Sequence, residues 1–397
     1  MKIGIVVDNE LNNDIRVLRE IEILRESGNE IFVLCFGFDK NDYKLIDSIH
    51  ITRINIRKKV KDILFFLLNL IPAYEWLWSS RIRKFIIDNG IEAIHVHDLY
   101  MAKNAHNGIM ACRMRIPLVL DLHENYPYSV TTYNWTKGLL RSIISRPEAW
   151  RQKEHEYLGY ADRIIVLSEN FRDLLIDRYN DLSIAIFTVL PNVPDISLLK
   201  KEKSSPIKSP FSNDFPIILY YGVIAERRGV FDAIDMFTGL IKDNYRANLL
   251  FIGPVDKKDI VRFQKEISAD LFKDRIMYIP WIDSKDLPAY LEIIDICIAP
   301  FHKNPQHESG VANKIYEYML GGKPIVASNC KPQQEIIEKH NCGLIFDNMT
   351  EFKGSIIILL KDIDLRALLG RNGNEAIIKE YNTGVVKGNL IKMYQTI

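Results

Sequence analysis

The sequence predicts an α/β fold: two doubly wound, Rossmann-like domains that meet at a cleft. Three observations predict it. Short apolar, β-branched runs alternate with helix-like segments along the chain, the rhythm of parallel sheets covered by helices. A stretch crowded with Lys, Ser and Pro, Ile196–Pro210, interrupts that rhythm near the middle, as an exposed linker does. The 397 residues, 47% of them apolar, suffice for two ordinary cores.

The first half offers strands at Ile3–Val7, Ile31–Phe36, His50–Ile54, Ala93–Val96, Leu118–Leu120, Arg163–Leu167 and Ile186–Val189. The second offers Ile217–Tyr221, Asn248–Ile252, Ile276–Ile279, Ile296–Ala299, Pro324–Ala327 and Gly343–Phe346. Expected boundaries are 1–195 for the first domain, 196–215 for the linker, 216–380 for the second domain and 381–397 for a terminal helix. In such sheets ligands bind beyond the carboxyl ends of the strands. The net charge of +1 gives no general reason to expect nucleic acid. Five cysteines without a C-x-x-C pair argue against structural zinc and suit a reducing compartment. Met1–Val7 runs straight into a strand, and no apolar run approaches the ~20 residues that span a bilayer. A cytoplasmic location is expected.

Glu308–Ser328 is the most informative stretch. It reads as a small-residue loop, a short helix, a Gly-Gly stop and a buried strand. Gly310 lets a ligand approach the backbone, and unpaired N–H groups at a helix start suit phosphate. With Val311 near that start, Glu317 lies about 9 Å along the helix, at roughly 1.5 Å per residue. That is the reach from a diphosphate to its ribose, whose hydroxyls a carboxylate can accept. The plainer account is a solvent-facing helical Glu.

This stretch resembles the signature of glycosyltransferase family 4, retaining enzymes of the GT-B fold. There a Glu, a Gly-rich loop and a second Glu eight positions after the first recur. Glu317 matches the second Glu, and Gly322–Ser328 matches the segment that comes next in the family. Ser309 stands eight positions before Glu317, with Glu308 one residue earlier, so either could serve in the first Glu's place. Asn13–Glu20, His95–Asp98, Asp121–Pro127, Pro191–Pro194 and Tyr221–Gly229 resemble further segments of the family. The resemblance implies that Gly384–Ile397 crosses back onto the first domain.

Gly222 closes a strand, and Arg227, Arg228 and Gly229 open the next helix, a suitable diphosphate cradle. Relatives carry Arg just after this glycine and Lys six positions after it. Here Val223 and Arg228 hold those places, and Arg227 can supply the missing charge; a solvated basic turn is the alternative. By resemblance His123 contacts a donor-sugar hydroxyl and can stabilise charge there, though a core or capping histidine is the competing account. Glu124 is its neighbour. His95, His97 and Asp98 make a weak metal pattern, read instead as strand-end packing, and Asp362 and Asp364 read as surface charge. The first loop lacks the glycine pattern of a dinucleotide site. Its Asn12 and Asn13, with Arg16, are candidates to touch acceptor or donor phosphate, while Asp14 as a helix cap is the simpler account.

Between His50 and Phe85 eight Lys or Arg face two acids, Asp62 and Glu75. Among them lie Ile63–Ile71 and then Tyr74, Trp76 and Trp78. Such a segment suits an anionic bilayer surface, and a helix buried against the sheet is its direct competitor.

The expected activity is retaining glycosyl transfer, hexosyl or N-acetylhexosaminyl, from a nucleotide sugar to a hydroxyl, with UDP the default nucleotide. The acceptor is expected to be a glycan or lipid-linked, in surface polysaccharide or glycolipid assembly. His123, Arg228 and Glu308 are the catalytic candidates. Arg227, Ser309, Gly310, Val311, Asn313 and Glu317 are the donor-binding candidates. No obligatory metal or cofactor and no nucleic acid are expected. A GT-B UDP-GlcNAc 2-epimerase and an inactive nucleotide-sugar-binding subunit are the alternatives.

Overall fold

The structure, a computed structural model, describes residues 1–12, 14–38, 49–133, 136, 138–194 and 207–397. Asn13 and most of the expected linker, 196–206, lie outside the described residues. The chain divides into two compact units. One comprises Met1–Pro191 with Val386–Ile397, the other Asn192–Val385.

The first unit carries a seven-stranded sheet of β1 (Lys2–Val6), β2 (Glu30–Gly37), β3 (His50–Asn55), β4 (Ala93–His97), β5 (Leu118–Asp121), β6 (Arg163–Val166) and β7 (Phe187–Val189). Its order is β3-β2-β1-β4-β5-β6-β7, and the pairs are parallel. The second unit carries β8 (Ile217–Tyr221), β9 (Asn248–Ile252), β10 (Ile276–Ile279), β11 (Ile296–Ala299), β12 (Ile325–Ser328) and β13 (Gly343–Phe346). Their order is β10-β9-β8-β11-β12-β13, also parallel. Both sheets are doubly wound: strand order reverses between β1 and β4 in one and between β8 and β11 in the other. Beyond the carboxyl ends of those pairs lie the crevices where such folds take ligands.

The central strands are near-continuous apolar runs because helices cover both faces. β1 reads KIGIV and β9 reads NLLFI, and both are almost wholly buried. The Ala73–Asn89 helix shows how period selects the core face. Tyr74, Trp78, Ile82, Phe85 and Ile86 follow a helical stripe and are buried. This corrects the expectation that Tyr74 and Trp78 belong to a surface segment; Trp76, off the stripe, is exposed.

The Thr383–Tyr394 helix contributes its later residues to the first unit. The Tyr394 hydroxyl meets His95 Nδ1 at 3.0 Å, and Lys387 pairs with Glu26 at 2.6 Å. Asp362, expected as plain surface charge, accepts the Leu365 N–H at 2.8 Å and caps the Ile363–Lys379 helix.

Candidate functional site

In the second unit the switch point gathers positive charge around a glycine. Gly222 follows β8 with φ of 100°, a conformation costly for other residues. A short turn, Glu226–Arg228, leads to Gly229, also left-handed at 72°. A Cβ at Gly229 would stand 1.7 Å from the Pro300 carbonyl oxygen, so only glycine fits the Val230–Lys242 helix this close to the end of β11.

Lys314, which sequence reasoning missed, is the most unusual side chain in this unit. It is the second residue of the Asn313–Leu320 helix and only 4% exposed. Its Nζ lies over the Tyr220 ring at 4.2 Å and the Phe301 ring at 5.0 Å, with no hydrogen-bond partner. A Cβ on Gly222 would come 3.5 Å from its Cε. Burial, then repulsion from Arg228, pushes the ammonium well below its ordinary pKa, and Glu317 opposes them. Arg228 shares the condition. Its Nε is buried without a partner, and burial followed by Arg227 lowers its pKa. Two cations so placed are uncompensated until an anion arrives.

Glu317 lies three residues beyond Lys314 on one helix face. Burial raises its pKa to about 7, with Lys314 pulling the other way. No side chain caps this helix at Ala312. Gly310 and Val311 are part-exposed, and Asn313, the first residue of the helix, is exposed. The two candidates for the first Glu's place are both engaged. Glu308 accepts the Lys331 N–H at 3.1 Å, which caps the Lys331–His340 helix. Ser309 is buried, and its hydroxyl donates to the Pro305 carbonyl at 2.5 Å.

The first unit's switch point is built differently. A cavity of about 360 Å³ lies beyond β1 and β4, with Asp8, Lys61, Phe65, Asp98, Glu124 and Tyr126 in its wall. Asp8 accepts from Tyr74 and pairs with Lys61 at 3.2 Å. Burial raises it to about 6 despite Lys61. Glu124 accepts from Tyr133 and is also raised, chiefly by burial.

Beside this cavity runs a buried ion network. Asp14 caps the Ile15–Glu26 helix by accepting the Val17 N–H. Arg16, in the first turn of that helix, donates to both Asp121 oxygens at 2.9 Å and to the Leu190 carbonyl at 3.0 Å, and pairs with Glu20 at 3.2 Å. Arg16 is therefore committed to an internal clamp, a correction to its reading as a phosphate contact, because a buried guanidinium must be paired. Asn12 lies 3.5 Å from Arg53. His123 Nε2 is 3.2 Å from Asp121 and 2.9 Å from His97 Nδ1. Burial opposes its charge, but Asp121 and Asp98 outweigh burial and lift it to about 9.

Glu20, His95, His97 and Asp121 bring ligand-type atoms within 4.8 Å of one another. Arg16 already serves two of the four as cation, so the cluster reads as a charge-balanced network.

Two doubly wound parallel sheets, each with its polar constellation at the switch point, define the class of Rossmann-like α/β folds. Residues 15–197 match the family described as Glycosyltransferase Family 4, and residues 201–376 match Glycosyl transferases group 1. The chain belongs to this family of GT-B glycosyltransferases. Spore coat protein SA of Bacillus subtilis is 24% identical over 45% of this chain and 48% of its own. The chain thus spans about half the length of that relative. The uncharacterized glycosyltransferase MJ1178 of Methanocaldococcus jannaschii is 23% identical over 87% of this chain and 84% of its own. Anabaena HepE, solved in complex with UDP and glucose, superposes with a TM-score of 0.68 at 16% identity, covering 100% of both chains.

Proposed function

We propose that this chain is a retaining glycosyltransferase that moves a hexosyl or N-acetylhexosaminyl group from a UDP-sugar to a hydroxyl of a glycan or lipid-linked acceptor. The observation that carries it is the buried Lys314 ammonium, without a hydrogen-bond partner beside Gly222, together with the part-buried Arg228, whose Nε also lacks one, on the turn after β8. A diphosphate supplies the missing anion. Glu317, one turn along the same helix, takes the ribose hydroxyls. UDP as the nucleotide is supported by family habit and by its presence in the HepE complex.

In transfer, the bond from the anomeric carbon to the diphosphate breaks and its electron pair stays on the leaving oxygen. The acceptor oxygen bonds to that carbon on the same face, and its proton passes to the leaving phosphate. Lys314, Arg228 and Arg227 stabilise the charge that develops on the diphosphate. His123 is, by resemblance, the first unit's candidate for contact with the sugar, and no metal is required in this scheme. Surface polysaccharide or glycolipid assembly, at the inner face of the membrane, is the setting we assign.

Calorimetry with UDP, GDP, ADP and uridine tests the reading. UDP is expected to bind best, and Glu317→Ala to weaken it about ten- to hundred-fold, the loss of one charge-assisted bond of ~1.5–3 kcal/mol. Failure of every nucleotide to bind would sink the proposal. Nucleotide binding without turnover of any UDP-sugar would move the inactive-subunit reading forward, for which the engaged Glu308 and Ser309 are the supporting observation.

A further inference from the structure

The Lys58–Phe66 helix rests Leu64 and Phe65 against the core yet has no fully buried residue, and the Leu139–Ser145 helix buries only Ser145. A helix of a globular protein ordinarily hides its apolar stripe. Here Ile63, Leu70 and Ile71 are exposed, Trp76 is 67% exposed, and Leu139, Leu140 and Ile143 are 79, 74 and 61% exposed. The two regions adjoin. Asn69, at the turn after the first helix, donates to the Ser145 carbonyl at 2.6 Å and the Arg146 carbonyl at 3.3 Å. Lys153 donates to Asn69 at 2.8 Å. The apolar side chains thus gather on one region of the first unit. Arg57, Lys58, Lys59, Arg141 and Arg146 stand exposed among them, against exposed Asp62 and Glu148.

We propose that these two helices dock the protein on an anionic lipid bilayer. The interleaving of charge and apolar residues selects this occupant. The centre of a protein interface is depleted in charged residues, Lys among them, with Arg the exception. A bilayer interface accepts both, because the basic heads reach lipid phosphates while Leu, Ile and Trp enter below them. The surface also adjoins the first unit's cavity: Lys61 and Phe65 of the Lys58–Phe66 helix line it. Resting on the glycosyl-transfer reading, this makes a lipid-linked hydroxyl the acceptor class, delivered at the membrane beside that cavity.

Cosedimentation of the full chain with phosphatidylglycerol-containing and pure phosphatidylcholine vesicles tests the surface without any need for turnover. Binding to the anionic vesicles is expected, weakened by added salt. The double variant Leu139→Glu, Leu140→Glu is expected to lower partitioning at least about tenfold, since both side chains lose their apolar contribution and add negative charge. UDP affinity and unfolding temperature, measured on the same variant, are expected to stay unchanged, so a failed donor reading shows separately. No binding at low salt overturns the proposal. So does vesicle binding indifferent to the double variant. Self-association that the double variant abolishes, without vesicle binding, overturns it in favour of a second copy of this chain.

Discussion

The two switch points share one topology and have opposite electrostatics. Beyond β8 and β11 lie the buried Lys314 ammonium, without a hydrogen-bond partner, and the part-buried Arg228, with Glu317 one turn along the helix. Beyond β1 and β4 the buried cation Arg16 is saturated by Asp121, Glu20 and a carbonyl, and the carboxyls of Asp8 and Glu124 face the cavity. The same sheet order therefore fixes where a ligand sits and leaves its charge to a few side chains. An unsaturated cationic crevice is what the proposed diphosphate requires. A saturated one, lined by raised carboxyls and tyrosines, suits a neutral hydroxyl compound.

The largest expected effect breaks the saturated side. Asp121→Ala strands Arg16 in the interior and is expected to destabilise the first unit by about 3–5 kcal/mol. Chemical denaturation followed by far-UV circular dichroism measures it, and a loss below about 1 kcal/mol would mean that water compensates the guanidinium freely.

On the unsaturated side, Lys314→Met is expected to lower UDP affinity about ten- to hundred-fold while leaving uridine binding intact. Its apo unfolding temperature is expected to hold or rise, because an unpaired buried ammonium is removed. Equal losses for UDP and uridine would make Lys314 a packing residue.

The next effect is a pH dependence. Glu317 has its folded pKa raised to about 7 from 4.5. The folded state thus holds an extra proton between those values, so its stabilising contribution is full below about 4.5 and lost as pH rises through about 7. Ribose acceptance needs the ionised form and should strengthen over the same rise. Glu317→Gln is expected to flatten both trends; identical pH profiles for variant and wild type would remove the residue from the ribose.

The smallest effect concerns the loop before the helix. Glu308→Gln is expected to cost about 0.3–1 kcal/mol of stability through the cap on the Lys331–His340 helix. It should lower transfer while sparing UDP binding if Glu308 serves the sugar. A fall in turnover with Ser309→Ala alone would assign that role to the serine.

Much of the fold is legible because parallel strands are written as short apolar, β-branched runs bounded by turn residues, and their length and flanks separate them from helices. β8, β9, β10, β11 and β13 carry the expected bounds, and the remaining strands shift by one residue at one or both ends. The surface segment is harder to read. Composition groups Tyr74 and Trp78 with Trp76, although their four-residue spacing, continued by Ile82 and Ile86, marks a core stripe. Glu317 and Arg228 are legible from spacing near glycines. Lys314 is hidden because a lysine in a helix is ordinarily solvated. Its signal is positional: it precedes Glu317 by three residues. Arg16 is misplaced by local reasoning because Asp121, its partner, is 105 residues away, and no local pattern announces such a pairing.

The contact between Tyr394 and His95 also sets a timetable. The two residues are separated by 299 positions, so during synthesis at ~5–20 residues per second His95 is made roughly 15 to 60 s before its partner. Through much of that interval the nascent first unit has every strand of its sheet yet lacks the hydroxyl that meets His95 at its buried ionic centre. A fragment ending at Pro191 is expected to repeat that immature state permanently, as a collapsed but loosely ordered species. The turn that carries Tyr394 thus acts as the closing stitch of a sheet translated well before it.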